Sequence, residues 1–550
     1  MIPRLAVVAG LSLLLAAAVG AATSGDVAQA DPGEAIYLHG ATAGGAVVSA
    51  TRGGQSVVEG QPAACANCHQ RSGLGGREGR FLIPPVTTRY LFRPHASEVE
   101  ERDIPFVAGM HGDREPYTDA TLARAIRDGL DSEGKPLNFL MPRYDLNDGD
   151  LSAVIEHLKR LDKTDVPGVT PTTLHFATII TPDADPAKKT GMLAVMKQFV
   201  TDRNARQMAS APHMVTSGRT AFSGMMFKVQ RRWELHVWEL TGPEATWRAQ
   251  LERRLAAEPV FAVISGLGGA HWAPVQAFCE RQSLPCLFPN VDAPPADADR
   301  NFYSVYFSRG VLLEAELLGG RLRDTPSHGV PVRVLQVYRE GDSGEAAAAA
   351  LERALQSSSI RVIRRAIPRA AAPTAVAAAL RGDPHADAVV LWLRPSDLAG
   401  LPPQPPANAA LYLSGQMAAL EHAPLPAAWR AGVEMTYPCD LPDRRRVRVD
   451  FAMGWFRARH IPLVAERTQV DTYLALGLLS ETLKGVTDTF VRDYLVEHLE
   501  ETLAHRILTG YYPRLGVATG QRYASKGGYM VRFASAQGTA VVPDGEWTVP

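Results

Sequence analysis

The sequence predicts a multidomain chain: a small all-α module, then a longer two-lobed α/β region built on parallel sheets. Three observations carry this. Apolar residues recur at helical spacing between residues 116 and 161. The stretch "DKTDVPGVTPTT" (Asp162 to Thr173), rich in Pro, Gly and Thr, then interrupts the pattern and reads as a linker. From Leu174 onward, short apolar runs alternate with helical segments, and repeated β-α units imply parallel sheets covered by helices. That region is too long for one ordinary lobe, so two sheets are expected.

The bulk properties set limits. The chain has 550 residues, 46% hydrophobic and 21% charged, which fits ordinary globular protein. Lys plus Arg number 57 and Asp plus Glu 58, a balance that argues against nucleic acid as the main partner. The N-terminus, "MIPRLAVVAGLSLLLAAAVGAA", has one Arg, an apolar run and then small residues. It reads as a secretory signal within residues 1–30, cleaved after "AQA" (Ala28 to Ala30) or "VGA" (Val19 to Ala21). An uncleaved membrane anchor is the competing reading of the same run. The expected location is the periplasm.

The first module, residues 31–162, carries "AACANCHQRSG" (Ala63 to Gly73). Zinc needs about four ligands, and the other cysteines, Cys279, Cys286 and Cys439, lie far away. A dithiol of the thioredoxin type needs a βαβ context, and Gly and polar residues stand there instead. C-x-x-C-H is the spacing for covalent haem: each thiol adds to one vinyl group, and the adjacent imidazole reaches the iron. Downstream, "PYTDATLARAIRDGL" sets Leu122, Ile126 and Leu130 on one helical face. Met141 follows in a turn-rich loop, with Pro142 biasing it away from helix. "NDGDLSAVIEHLKRL" aligns Leu151, Val154, Ile155, Leu158 and Leu161, with Asn147 or Asp148 as cap and His157 off the stripe, in solvent.

A C-x-x-C-H, a helix, a Met-Pro loop and a final helix resemble a class I c-type cytochrome over roughly Gly33 to Leu161. The resemblance implies one covalent haem c on Cys65 and Cys68, with His69 and Met141 as axial ligands. Met110 and His111 compete for the distal place. The stretch "ATAGGAVVSATRGGQSVVEGQPAA" before Cys65 departs from the family and reads as an inserted loop. His/Met ligation leaves no open site on iron, so an electron carrier is expected rather than a haem enzyme. Its partner would be a periplasmic dehydrogenase or another cytochrome.

The second region, residues 174–550 after the linker 163–173, begins with the strand "LHFATII" and the helix "GMLAVMKQFV". "WELHVWEL", "VFAVISGLGG" and "PCLFPN" read as strands, with "ATWRAQLERRLAAE" and "WAPVQAFCERQ" as helices. The alternation resumes through "VRVLQVYRE", "GEAAAAALERALQ", "IRVIRRAIP", "AVAAALRG", "ADAVVLWL" and "ALYLSG". "RRRVRVD" (Arg444 to Asp450) reads as a solvated helix face. Cys279 ends a helix and Cys286 begins a strand, which leaves either a disulfide adding about 2–3 kcal/mol or two buried thiols. Cys439 reads as a buried small residue.

The order of these segments, with the late helix "VDTYLALGLLSETL", resembles type I periplasmic binding proteins, the family of branched-chain amino acid receptors, over about Thr172 to Pro550. The resemblance implies two lobes closing on a small solute. It places a carboxylate site in "SGLGGAHW", where Gly266, Gly268 and Gly269 would offer backbone N–H groups to an anion. Ser304 and Tyr306 match the next cleft-facing segment. "YREGDSGEA" lacks the aromatic residue often found before its Gly, and "LYLSGQM" offers Gln416 where an acidic group is expected. The haem motif is nearly complete and the solute motifs are eroded. The leading expectation is therefore an exported monohaem electron carrier with a receptor-like domain, and the alternative is a transporter's solute receptor with an appended haem.

Overall fold

The computed structural model describes residues 31–53, 56–78, 81–92, 114–161, 166–215, 231–324, 332–381, 385–484, 486, 490–518 and 520–550. The signal segment, Met110 and His111 lie outside the described residues. Two compact units are present. Among the described residues, no helix is long and apolar enough to cross a membrane.

The first unit holds the described residues up to Asn67 together with Arg114–Lys159. Helix Pro32–His39 starts with Pro in its first turn, where a missing N–H costs nothing, and stops at Gly40 with φ 62°. A Cβ on Gly33 would stand 2.1 Å from the Ala153 carbonyl oxygen, so glycine lets this helix approach Asp148–Leu158 backbone to backbone. Helix Asp119–Asp128 opens with a reciprocal Thr118–Thr121 capping box and ends at the left-handed Gly129. Asn147 caps Asp148–Leu158 by accepting from Asp150 N at 2.9 Å. The predicted stripe Leu151, Val154, Ile155 and Leu158 is buried, while Leu130 and Leu161 fall beyond their helix ends.

This unit is not all-α. Strands Ser49–Arg52, Ser56–Glu59 and Arg143–Asp145 form an antiparallel sheet with the first in the centre. The stretch read as an inserted loop is thus a β-hairpin. Its β-branched residues on either side of Gly53 pair in register, Thr51 against Val57, while Ala50 pairs with Val58 and with Tyr144. His157 is not solvated either. Its Nδ1 lies 3.3 Å from Asp31 Oδ2 and its ring packs on Tyr37.

The second unit contains two sheets. The first runs in the order Tyr523–Ser525, Ser304–Ser308, Cys286–Leu287, Ala262–Ile264, Thr173–Ile180, Arg232–Glu239, all parallel. The second runs Arg361–Ile367, Arg333–Arg339, Ala388–Trp392, Ala410–Ser414, Val433–Tyr437, all parallel, then Tyr529–Phe533 and Val541–Pro543, antiparallel. Strands such as Ala388–Trp392 are buried throughout, as parallel strands covered on both faces must be. The chain passes between the sheets three times: from Ser308 into helix Val311–Asp324, from Tyr437 into helix Pro442–Ala458, and from Ser525 to Tyr529. This two-lobed α/β arrangement matches the expectation from sequence.

The second unit also takes the described residues from Cys68 to 92. Arg71 pairs with Asp493 at 3.2 Å and lies 4.5 Å over the Phe302 ring. Ser72 N donates to Glu497 at 3.1 Å. These bonds fasten the stretch following Cys68 to helix Arg492–His505.

Candidate functional site

Open parallel sheets receive ligands beyond the carboxyl ends of their strands. There, between the two sheets, lies a cavity of about 340 Å³. The first lobe supplies Lys188, Asp292, Phe307 and Ser308, and helix Glu466–Thr482 adds Arg467 and Asp471. The second lobe supplies Gln416, Glu421 and Tyr437, the last residue of strand Val433–Tyr437, and helix Pro442–Ala458 in the crossing that follows adds Arg445. Tyr511 and Tyr512 complete an aromatic wall with Phe307.

Charge is paired across the cavity rim. Asp292 accepts from Arg394 at 2.9 Å and from Gln416 Nε2 at 3.3 Å, and lies 3.5 Å from Lys188. Burial alone would raise its pKa, but Lys188 and Arg394 hold it well below the carboxylate range. Arg394 also makes two 2.7 Å bonds to Asp342, the cap of helix Ser343–Leu355. Burial works against its charge, yet Asp292 and Asp342 keep its pKa above the usual value. Asp292 belongs to the first lobe and Arg394 to the second, so this bond joins the lobes.

Deeper in, burial pushes Asp471 up to about 6 against the opposing charge of Arg467, 3.6 Å away. Asp471 Oδ2 accepts from Tyr512 at 3.2 Å. Asp471 Oδ1 and Gln416 Oε1 are buried acceptors without a hydrogen-bond partner among the described residues. Behind Gln416, fully buried Glu314 accepts from Gln416 N, Ser414 Oγ and Thr436 Oγ1. Desolvation lifts it to about 7. Arg445 is buried too. It donates to Tyr437 Oη at 2.6 Å and the Asp440 carbonyl at 2.7 Å, and its guanidinium lies 4.3 Å over Tyr511.

Several expected site residues lie elsewhere. Gly269 N and Ala270 N point at the Asp183 carboxylate, at 3.3 and 3.0 Å, and Gly268 N donates to Asn290 O. The protein's own carboxylate thus occupies the Gly269 and Ala270 amides, and the Gly268 amide is taken by a backbone carbonyl. A Cβ on Gly266 or Gly268 would stand 2.5 or 2.7 Å from Trp272, so these glycines seat a buried indole. Ser304 and Tyr306 face helix Ala273–Arg281, bonding Glu280 and Gln276 at 2.6 Å, and do not line the cavity. Phe307 and Ser308, at the strand's carboxyl end, take that place. Cys279 and Cys286 carry free, buried thiols rather than a disulfide. Burial, and then the hydrogen bond to Cys286, raise the Cys279 thiol well above its usual range. Cys439 is buried.

The solvated face expected over Arg444 to Asp450 is broken by Arg445 in the cavity wall and by Arg448, paired with buried Asp440. A signal was present: Arg445, Val449, Ala452 and Phe456 recur at helical spacing on the buried face of Pro442–Ala458. Arg467 and Asp471 lie one turn apart on their helix, and no local motif marks them.

In the N-terminal motif, Cys65 and Cys68 are half-buried and not joined in a disulfide. Cys65 Sγ lies 3.8 Å from Tyr144 Oη, which donates to the Ala63 carbonyl. His69 is buried, and its Nδ1 donates to the Pro84 carbonyl at 2.9 Å. Desolvation lowers its pKa against that bond, so the ring is neutral with Nε2 as the free nitrogen. A metal-bound histidine has this form: one nitrogen tied to a carbonyl, the other left for the metal. Met141, half-buried, follows a turn in which its N–H donates to Asn138 O.

No protein-family model matches the chain, and no curated protein does. Solved structures similar in fold include a substrate-binding periplasmic protein from Ralstonia solanacearum, at 13% identity and TM-score 0.48, covering 68% of this chain and all of that one. A leucine-binding protein from Thermotoga maritima is 12% identical with TM-score 0.48, covering 68% of this chain and 98% of its own. An ABC-transporter solute-binding protein from R. palustris, in complex with benzoate, is 12% identical with TM-score 0.48, covering 69% and 97%.

Proposed function

We propose that the two-lobed unit is an exported receptor for a small solute bearing both an anionic group and hydrogen-bond donors. The observation that carries this is the 340 Å³ cavity between the sheets, with Asp471 Oδ1 and Gln416 Oε1 unpartnered inside it. Leaving such groups unpaired costs about 1–3 kcal/mol each, and a ligand's N–H or O–H groups would recover it. Arg467 and Lys188 supply positive charge, and Phe307, Tyr511 and Tyr512 an aromatic surface. The receptor reading comes before the electron-carrier reading because its site is a formed cavity. A thermal-shift screen of the full chain against amino acids, hydroxy acids and aromatic carboxylates tests it. At a hundredfold excess over Kd the stabilisation is about 2.7 kcal/mol. Arg467→Ala should erase the shift. If no compound moves wild type, or the variant responds equally, the reading fails.

A second reading concerns the N-terminal motif and rests on the His69–Pro84 bond. Cys65 and Cys68 would hold one haem covalently, His69 Nε2 would be an axial ligand, and Met141 is proposed as the other. Bound in that way, haem c supplies one-electron transfer. The chain would then exchange electrons with a periplasmic dehydrogenase or cytochrome as well as bind solute. Mass spectrometry of protein made with a cytochrome c maturation system should show one covalent haem. Two haems, or none, would refute it.

A further inference from the structure

We propose that His175, Glu234 and His236 form a binding site for a divalent transition metal such as Zn²⁺, separate from the solute cavity. His175 lies on strand Thr173–Ile180, and the other two on the neighbouring parallel strand Arg232–Glu239. The register pairs His175 with Glu234 and Ala177 with His236, so all three side chains leave the same face of the sheet. They stand near the amino ends of the strands, whereas the cavity lies beyond the carboxyl ends.

The distances suit one ion. His175 Nδ1 and His236 Nε2 are 3.1 Å apart, with Glu234 Oε2 3.8 Å from the first and Glu234 Oε1 3.8 Å from the second. Zinc binds imidazole nitrogen at about 2.0–2.1 Å, so two tetrahedral ligands sit roughly 3.3 Å apart. A small closure of Glu234, an exposed side chain, completes three ligands. Imidazole and carboxylate together suit Zn²⁺ and its neighbours rather than Ca²⁺ or Mg²⁺.

The surroundings add independent support. His236 Nδ1 lies 3.6 Å from Glu258 Oε2, at the end of helix Trp247–Ala257. The same oxygen accepts from the buried indole of Trp238 at 2.7 Å, which fixes the carboxylate. A carboxylate behind one imidazole nitrogen orients the ring and leaves the other nitrogen for metal. A plain N–H···N bond between the two rings is the alternative, and it needs neither Glu234 nor Glu258.

Titration of the untagged, chelator-treated full chain with ZnCl₂ by calorimetry separates these. Wild type should bind one Zn²⁺ more than the His175→Ala/His236→Ala double variant; this difference removes uptake by Cys65 and Cys68. Zn²⁺ should raise the wild-type melting temperature and leave the double variant's unchanged. Glu234→Gln, on an exposed side chain that folding does not need, should weaken binding about tenfold or more, and Glu258→Gln about 10–100-fold. Equal uptake by wild type and the double variant, or unchanged affinity in Glu234→Gln, would overturn the proposal.

Discussion

Replacing Glu314 by Gln should flatten part of the pH dependence of stability. Glu314 is fully buried on the helix that follows the first crossing, and desolvation raises its pKa from 4.5 to about 7. The folded chain therefore holds this proton more tightly than the unfolded chain does. Stability from this group is fully present below about pH 4.5, declines between 4.5 and 7, and is absent above the folded pKa. A separation of about 2.5 units amounts to roughly 3 kcal/mol, near 1.4 kcal/mol for each unit. Gln keeps the volume, and its oxygen can still accept from Gln416 N and Thr436 Oγ1. The Ser414 hydroxyl can rotate to accept from the new amide. Urea unfolding at pH 5, 6, 7 and 8, followed by tryptophan fluorescence, gives both profiles. Other buried acids contribute equally to both proteins, Asp471 and Glu497 among them, so the difference isolates Glu314. The variant should gain relative to wild type by about 2.5 kcal/mol between pH 5 and 8, the rest of the effect lying below pH 5. Parallel profiles would refute the reasoning.

Gly268→Val should destabilise the first lobe, because its Cβ would stand 2.7 Å from Trp272 and 3.1 Å from Val291; overpacking costs about 1–3 kcal/mol, read as a lowered melting temperature. Asp292→Ala should cost less than the 3–5 kcal/mol typical of breaking a buried pair, since Arg394 keeps both bonds to Asp342; urea midpoints measure this. Cys65→Ala with Cys68→Ala should abolish covalent haem in the intact-mass spectrum while the melting of the two-lobed unit persists. Met141→Ala should open the iron to carbon monoxide, and an unchanged spectrum would move the ligand assignment to Met110 or His111.

The α/β alternation was legible because each buried strand is a short run of apolar residues bounded by Gly, Pro or Asp, as in "HADAVVLWLRP" around Ala388–Trp392. A helix start was legible where a side chain caps it, as at Asn147, whereas the end at Gly129 was passed over when Leu130 was read onto the helical face. The first hairpin was missed because its glycines and serines resembled a loop, although Val57 and Val58 flank the turn signal. The site was less legible for a different reason. A glycine run shows that backbone approaches something closely, without naming the partner. Here Trp272 and Asp183 supply it, from nearby and distant sequence respectively. Which arginine of "RRRVRVD" turns inward depends on helix phase, set by the packing of Val449 and Phe456 further along the helix rather than by the charge run itself.

The rim ion pairs bear on how the lobes separate. Opening the cavity would part Asp292 from Arg394, a cost that ordinarily includes stranding two buried charges. Neither is stranded here. Arg394 stays with Asp342 inside the second lobe, and Asp292 stays with Lys188 inside the first. Water entering the opened rim also screens what remains. Each lobe thus carries a nearly neutral rim when apart and shares one additional bond when together. If the cavity takes the proposed solute, such an arrangement would keep an open and a closed state close in free energy, so that a modest difference in the solute's affinity for them would decide which prevails. A rim with lone opposite charges would instead lock shut without ligand, and the proposed binding at Arg467 and Asp471, deeper in the same cavity, would have nothing left to shift.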